Sequence, residues 1–427
     1  MISLHRRPRA GAVVLTVCVV ALLWQACGGG GGGSGNSGGD AATTPVRPPV
    51  TQPGQRGTPT STPGDAPTPG PDMVVVFSGE SIADAARNAR DGAVVVVAPG
   101  TYSSVLLEPG DLQGSLTLFA DVTGEFTDSA PAAVTIVAQS TDEAAFEAFS
   151  QSGLAIDGFT LRGGTDAGFL CGDCAGITVQ DCTVTGSGGD AVHFERSDDV
   201  LVFNNLLYGN KGGGVAAFGT TNLQVINNTI YNNATDGILL TLDENLHAST
   251  NAFVLNNILN KNSPKGIVVD PGPPSSLDGF DGDFNLNTNG YDGTDPGAND
   301  IAADPLFIFP GGGDFNLASS SHAIDHATDA IDADLVSQLE QRTTQDDGSL
   351  DTFPLDLGYH YVAPIPTPTK VPKATRTGTP RPTATKTGGV PGATPTHTVI
   401  GAPTPTTTPA GKPTRTRAPT FTPRPRP

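Results

Sequence analysis

Residues 72–362 contain no tryptophan; the chain has a single one, Trp24. The same stretch is poor in positive charge, with 8 Lys or Arg against 41 Asp or Glu, an excess of 33 negative charges. Nucleic-acid binding rests on Lys and Arg at phosphates, so this balance argues against such a partner. It also disfavours direct capture of anionic polymers unless divalent cations bridge the two. Cysteine is scarce: there are five, and Cys18 lies in a leading apolar run. "CGDC" (171–174) has no second Cys pair, so zinc is not expected. An oxidising compartment would permit a Cys171–Cys174 or a Cys171–Cys182 disulfide, and buried free thiols remain open beside these.

The two ends are equally poor in what a core needs. "HRRPR" (5–9) followed by "AGAVVLTVCVVALL" (10–23) has the form of an export signal, and fourteen apolar residues are few for a membrane span. Ala26 and Cys27 before a glycine run resemble a bacterial lipoprotein signal with Cys27 as the lipidated residue, although Trp24 stands where such signals usually carry Leu. Residues 1–27 are therefore expected to be a signal, with ordinary secretion or an uncleaved anchor as alternatives. The rest would be exported to a cell surface or outer membrane and held there by the lipid. Residues 28–71 and 363–427 are rich in Gly, Pro, Thr and Ser, have too little apolar surface to offset ordering entropy, and are expected to be disordered. The second of these carries ten Lys or Arg and no acid.

The middle is repetitive. Segments beginning at Ile156, Val179, Val202 and Val225 follow one another at 23 residues, and a fifth begins at Val254 after an insertion around "DENLHAST" (243–250). The same offsets are apolar in each: Leu161, Val184, Leu207, Ile230 and Leu259; then Phe169, Val192, Val215, Ile238 and Ile267; then Cys171, Phe194, Ala217, Leu240 and Val269. Apolar positions two apart describe a short strand with one buried face. A 23-residue unit cannot form a core alone, but stacked on its neighbours it can. The expected architecture is all-β, a parallel β-helix. Asn204, Asn227 and Asn256 would then lie above one another and form an amide ladder at a corner, with Asn205, Asn228 and Asn257 continuing the turn.

The pattern V-x-NN-x-I-x-x-N-x-x-x-x-G-I-x-L is similar to the right-handed parallel β-helix repeat of pectate-lyase-like proteins. "SIADAARNARDGAVVVVAPGTY" (81–102) resembles that family's opening, a short helix capping the coil, and Ile82, Ala85, Ala86 and Ala89 share one helical face. "SLTLFA" (115–120) and "AVTIVA" (133–138) read as early rungs. "ADPLFIFPGGGDFNLASSSHAID" (303–325) with "PLDLGYHYV" (354–362) resembles a terminal segment of exported β-helix proteins and is expected over the last open rung. This divides the chain into a coil over 72–302 and an end segment over 303–362.

The resemblance implies a groove for a linear polysaccharide, and catalytic groups, where present, projecting from one sheet. Stacking the repeats brings Asp173, His193, Glu195, Arg196 and Asp243 to one outward edge, a candidate for general acid–base work. Asp190, Asp236 and Lys265 form a second column, in which Asp236 and Lys265 would pair. Asp278, Asp281 and Asp283, with Asn285, offer oxygen ligands for Ca²⁺, without the spacing of an EF-hand. Ca²⁺ is the one cofactor considered. Phe218 and Tyr208 are the best outward rings for a sugar. The expected protein is a monomeric surface β-helix that binds polysaccharide or serves structurally, with a polysaccharide lyase or glycoside hydrolase as the alternative.

Overall fold

The computed structural model describes residues 73–362, except 271 and 273–278. Cys27, the export signal, the 28–71 linker and the 363–427 tail lie outside the described residues.

The repeat winds into a right-handed parallel β-helix with three sheets. Among the described residues the first sheet has nine strands, from Met73–Val76 through Ala175–Gln180, Asp198–Phe203 and Thr221–Ile226 to Asp281–Asp283. The second has eight, including Thr160–Arg162, Thr183–Thr185, Leu206–Tyr208 and Thr229–Tyr231. The third also has eight, including Ala144–Phe149, Ala167–Gly172, Asp190–Glu195, Val215–Phe218 and Ile238–Thr241. Val179 pairs with Val202, Val202 with Val225, and Val225 with Val254. The twenty repeated apolar positions point inward and are all buried. Each such aliphatic side chain contributes roughly 1.5–3 kcal/mol through burial. Phe146, Phe169 and Phe194 form a column of rings down the third sheet, with centroids 5.5 and 5.9 Å apart.

Helix α1 (Ile82–Asn88) starts at Ser81, whose hydroxyl accepts from the Asp84 N–H at 3.1 Å. Its Ile82 and Ala86, with Ala89 just beyond, join the core at the N-terminal end. Leu116–Ala120 and Val134–Val137 are not successive rungs. They belong to different sheets and form two sides of one turn of the coil, pairing with Leu154–Asp157 and Thr160–Arg162 respectively. The loop between them is long enough to disguise that relation in the sequence.

The asparagines divide their labour differently from the expectation. The first of each pair sits at a corner where the backbone turns left-handed: Gly158, Asp181, Asn204, Asn227 and Asn256 have φ of 80, 56, 52, 54 and 60°. Gly, Asp and Asn are the residues that tolerate this region. The main ladder runs through the second. Asn205 Nδ2 donates to Asn228 Oδ1 at 3.0 Å, Asn228 Nδ2 to Asn257 Oδ1 at 3.1 Å, and Asn257 Nδ2 to Asn285 Oδ1 at 3.0 Å. Each also takes up a backbone N–H one rung earlier, beginning with Cys182 on Asn205 Oδ1 at 2.9 Å. A parallel ladder, Asn210–Asn233–Asn262, stands at the next corner.

Residues 303–362 do not sit as a lid over the last rung. They lie back along the flank of the coil. A hairpin (Phe307–Phe309 with Asp314–Leu317), helix α2 (Ala333–Leu339) and a short strand pair (Arg342–Thr343 with Tyr361–Val362) make up the segment. Leu317, Leu335, Leu339, Leu355 and Leu357 pack on Phe203, Ile226 and Leu255, which project outward from the first sheet. The first-position asparagines bind it: Asn204 to His360 O (2.9 Å), Asn227 to Asp356 O (3.2 Å) and Asn256 to Thr328 O (2.9 Å). Buried Arg342 clamps both carboxylate oxygens of Asp181, one at 2.6 Å. Behind this pair, burial and the Asp181 charge push the Asp157 carboxyl up to about 7.

Candidate functional site

Outward positions of the third sheet form two columns. One is Glu147, Leu170, His193, Ala216 and Leu239; the other is Phe149, Gly172, Glu195, Phe218 and Thr241. In the second column the Phe149 ring lies over Gly172, where an added Cβ would meet its Cδ1 at 3.0 Å. Phe218 lies on the His193 ring, with centroids 4.8 Å apart and planes 19° from parallel. Both rings are partly buried. They are three rungs apart, about 14 Å at the spacing of neighbouring strands. The order along this column is therefore ring, gap, carboxylate, ring. Only Phe218 of the two rings was legible as an outward candidate. Tyr208 is partly buried, its ring 5.0 Å from that of Phe315 in the end segment.

Four of the five candidate residues converge beside this column. Arg196 makes a two-pronged contact with Asp173, Nε to Oδ1 at 2.7 Å and Nη2 to Oδ2 at 3.0 Å. Its Nη1 reaches Glu195 Oε2 at 3.2 Å and lies 3.9 Å from Glu244. The Asp173 hydrogen bonds raise the guanidinium further above its ordinary range and hold Asp173 below the usual carboxylate range. His193 Nδ1 lies 3.0 Å from Asp190 Oδ2, and its Nε2 lies 3.6 Å from Glu195 Oε1 without a hydrogen bond. Burial pulls the imidazole down, but the carboxylates of Asp190 and Glu195 outweigh it and push it up to about 9. The imidazolium and Arg196 in turn hold Glu195 low. Glu147, two rungs away, is pushed up by burial.

Asp243 packs against Gly219, the residue one rung beyond Arg196, but its carboxylate is held within its own loop and not in the patch. It opens the insertion, and its side chain is 1% exposed. Its carboxylate accepts from the N–H groups of Asn245 (2.9 Å) and His247 (2.8 Å) and faces the His247 ring at 3.0 Å. Burial opposes ionisation, yet these hydrogen bonds from His247 and Asn245 bring it down to about 2. The loop consumes the group that stacking had placed in the patch, and its next residue, Glu244, approaches Arg196 instead.

Asp190 also accepts the Gly213 N–H at 2.6 Å, so it joins the strands as well as His193. Asp236 and Lys265 meet through the Lys265 backbone N–H at 3.0 Å, while the ammonium binds Tyr291 O. Of the calcium candidates, Asp278 lies outside the described residues. Asp281 and Asp283 sit in a strand of the last rung, and Asp283 is engaged by Asn299 through its N–H at 2.7 Å and its Nδ2 at 2.9 Å. Asn285 continues the inner ladder, which ends on Asp300: the Asn285 N–H and Nδ2 donate to Asp300 Oδ1 at 2.6 and 3.3 Å. Among the described residues no three His, Cys, Asp or Glu form a group that could hold a metal ion. Cys171 and Cys174 are joined in a disulfide, and Cys182 is free and buried. The disulfide closes the turn that presents Asp173, whose φ is 56°.

Residues 145–293 match the family model described as right handed beta helix region. This stretch contains the five repeats and the whole candidate edge. None of the curated proteins matches the chain. Among solved structures, it is similar to an alginate lyase from Paenibacillus sp. str. FPU-7, with 15% identity over 46% of this chain and 80% of that one, at a TM-score of 0.34. It is also similar to a pectate lyase, Pel9A (11%, 60% and 91%, TM-score 0.27), and to a pectin methylesterase from Aspergillus niger (13%, 56% and 88%, TM-score 0.26). No residue role is carried over from any of them.

Proposed function

We propose that this chain is an exported surface protein that binds a linear polysaccharide along the outer face of the third sheet. The observation that carries the reading is the column Phe149–Gly172–Glu195–Phe218. Two partly buried rings on a sheet offer apolar faces at low entropic cost, and the carboxylate between them accepts from sugar hydroxyls. The ionic groups beside the column are paired and therefore rigid, which suits recognition. The disulfide next to Asp173 fits an oxidising compartment.

A lyase reading needs a group that takes up a proton, and Asp173 holds Arg196 charged while Asp190 and Glu195 do the same for His193. A hydrolase reading has one specific support: Glu147 and Glu195 are shifted in opposite directions, as acid and base partners are. Against it, Glu147 lies two rungs from Glu195, and its carboxylate is turned to its own strand, accepting the Ala144 N–H at 2.9 Å. The test is affinity gel electrophoresis of the full chain on a panel of soluble glycans, beside a product assay. Retardation by at least one glycan, lost in Phe218→Ala and without product, is expected. Product formation that vanishes in Glu195→Gln would instead establish the hydrolase.

A further inference from the structure

We infer that the glycan taken by this face carries protonated amines, an amino-sugar polymer with free amino groups; this rests on the binding reading above. The cations that an acidic sugar would need are already matched to carboxylates. Arg196 spends Nε and Nη2 on Asp173 and Nη1 on Glu195, and the His193 ring is held by Asp190 on one side and covered by Phe218. The acceptors, in contrast, are open: the side chains of Asp173, Glu195 and Glu244 are 52, 44 and 64% exposed. Asp173, Asp190, Glu195 and Glu244 outnumber the two cations at the edge, and the surrounding domain is strongly acidic. That field repels a polyanion and steers a polycation.

A second observation points to the ligand's shape. His193 is only 9% exposed, and its Nε2 has no hydrogen-bond partner. It faces Glu195, whose Oε1 is 3.6 Å away. A buried donor left unmade is unfavourable, so the site is completed by an acceptor placed there. When the Glu195 carboxylate turns to a ligand ammonium, Nε2–H faces whatever stands next to that amine. On an amino sugar this is a ring hydroxyl, which accepts. An amine and a neighbouring hydroxyl thus match the carboxylates and the imidazolium together, while the ring faces of the sugar lie on Phe149 and Phe218.

The experiment is calorimetric titration of the full chain with chitosan oligomers of graded deacetylation, fully acetylated chitin oligomers and oligogalacturonate, at low and high salt. Affinity is expected to rise with free-amine content and to fall with salt. Glu195→Gln with Glu244→Gln is expected to weaken the deacetylated oligomers roughly fivefold, the scale of two half-exposed ion pairs, and to spare the acetylated ones. Asp329→Asn with Asp346→Asn, remote exposed acids, should leave both unchanged; equal loss there would reduce the effect to general charge and overturn the assignment. Binding of acetylated oligomers that is lost in Phe218→Ala, with no gain from free amines, would sink this inference and leave the binding reading standing. Tightest binding of oligogalacturonate would also overturn it. Absence of any binding would remove both.

Discussion

Replacing Asn228 with Ala tests whether the inner amide ladder, rather than the outer one, holds the corners of the coil. Five hydrogen bonds disappear: from Asn205 N (2.8 Å) and Asn205 Nδ2 (3.0 Å), and to Val202 O (2.8 Å), Ile226 O (3.1 Å) and Asn257 Oδ1 (3.1 Å). Some partners keep a second bond. Asn205 Nδ2 still reaches Val179 O, Asn257 Oδ1 still accepts the Asn228 N–H, and Ile226 O still accepts the Asn204 N–H. The Asn205 N–H is left with nothing in a fully buried position, which costs about 1–3 kcal/mol, and the weakened contacts with the small void add a similar amount. The expected loss is about 3–5 kcal/mol, or roughly 6–10 °C in Tm for a domain of this size. Asn227→Gly is the matched control. It keeps the left-handed backbone and removes only the bonds from Asn256 Nδ2 and to Asp356 O, for a loss of about 1–2 kcal/mol. Urea unfolding of the full chain followed by circular dichroism reads both. A loss below about 1 kcal/mol at Asn228, or a larger one at Asn227, would refute the division of roles between the two asparagines.

The buried Asp157 gives a pH-dependent expectation. Its folded pKa of about 7 stands above its ordinary value of 3.8, so its contribution is fully present below pH 3.8 and is lost as pH rises through 7. Asp157→Asn should therefore stabilise the chain at pH 8, by roughly 2–4 kcal/mol, and change little near pH 4. His193 behaves with the same sign at higher pH: stabilisation present below 6.5 fades as pH passes about 9, and Asp190→Asn should bring the imidazole titration, followed by NMR, back toward 6.5. Phe169→Ala removes the middle ring of the buried column and should cost about 3–5 kcal/mol in the same urea assay.

The coil was legible because its signal is vertical. Residues 23 apart share one environment, so each apolar offset is confirmed four or five times over. The same logic located Arg196 above Asp173, where the strands repeat without interruption. It failed where the period breaks. Asp243 stands at the start of an insertion, and its carboxylate is drawn into that loop by backbone N–H groups that no alignment of rungs contains. Tyr208 shows a related effect: the ring that packs on it, Phe315, comes from a segment outside the repeat. The asparagine pair carried its composition plainly but not its division, since both residues are buried and only the backbone at the corner decides which amide faces inward. Phe149 escaped notice because its partners in the column are Gly172 and Glu195, and aromatic rings three rungs apart do not look periodic.

The way the end segment binds the coil has a consequence for how the chain folds. Each turn of the spiral can close on the one before it as soon as it is free to fold, since its partners lie 23 residues behind. The outer amides of Asn204, Asn227 and Asn256, and the carboxylate of Asp181, must wait for residues 328–360, more than seventy positions later in each case. Until then a strip of Phe203, Ile226 and Leu255 is wet. A chain whose end has not yet docked thus has a wound spiral with one side bare, and the last sixty residues of the folded region act as its built-in cover.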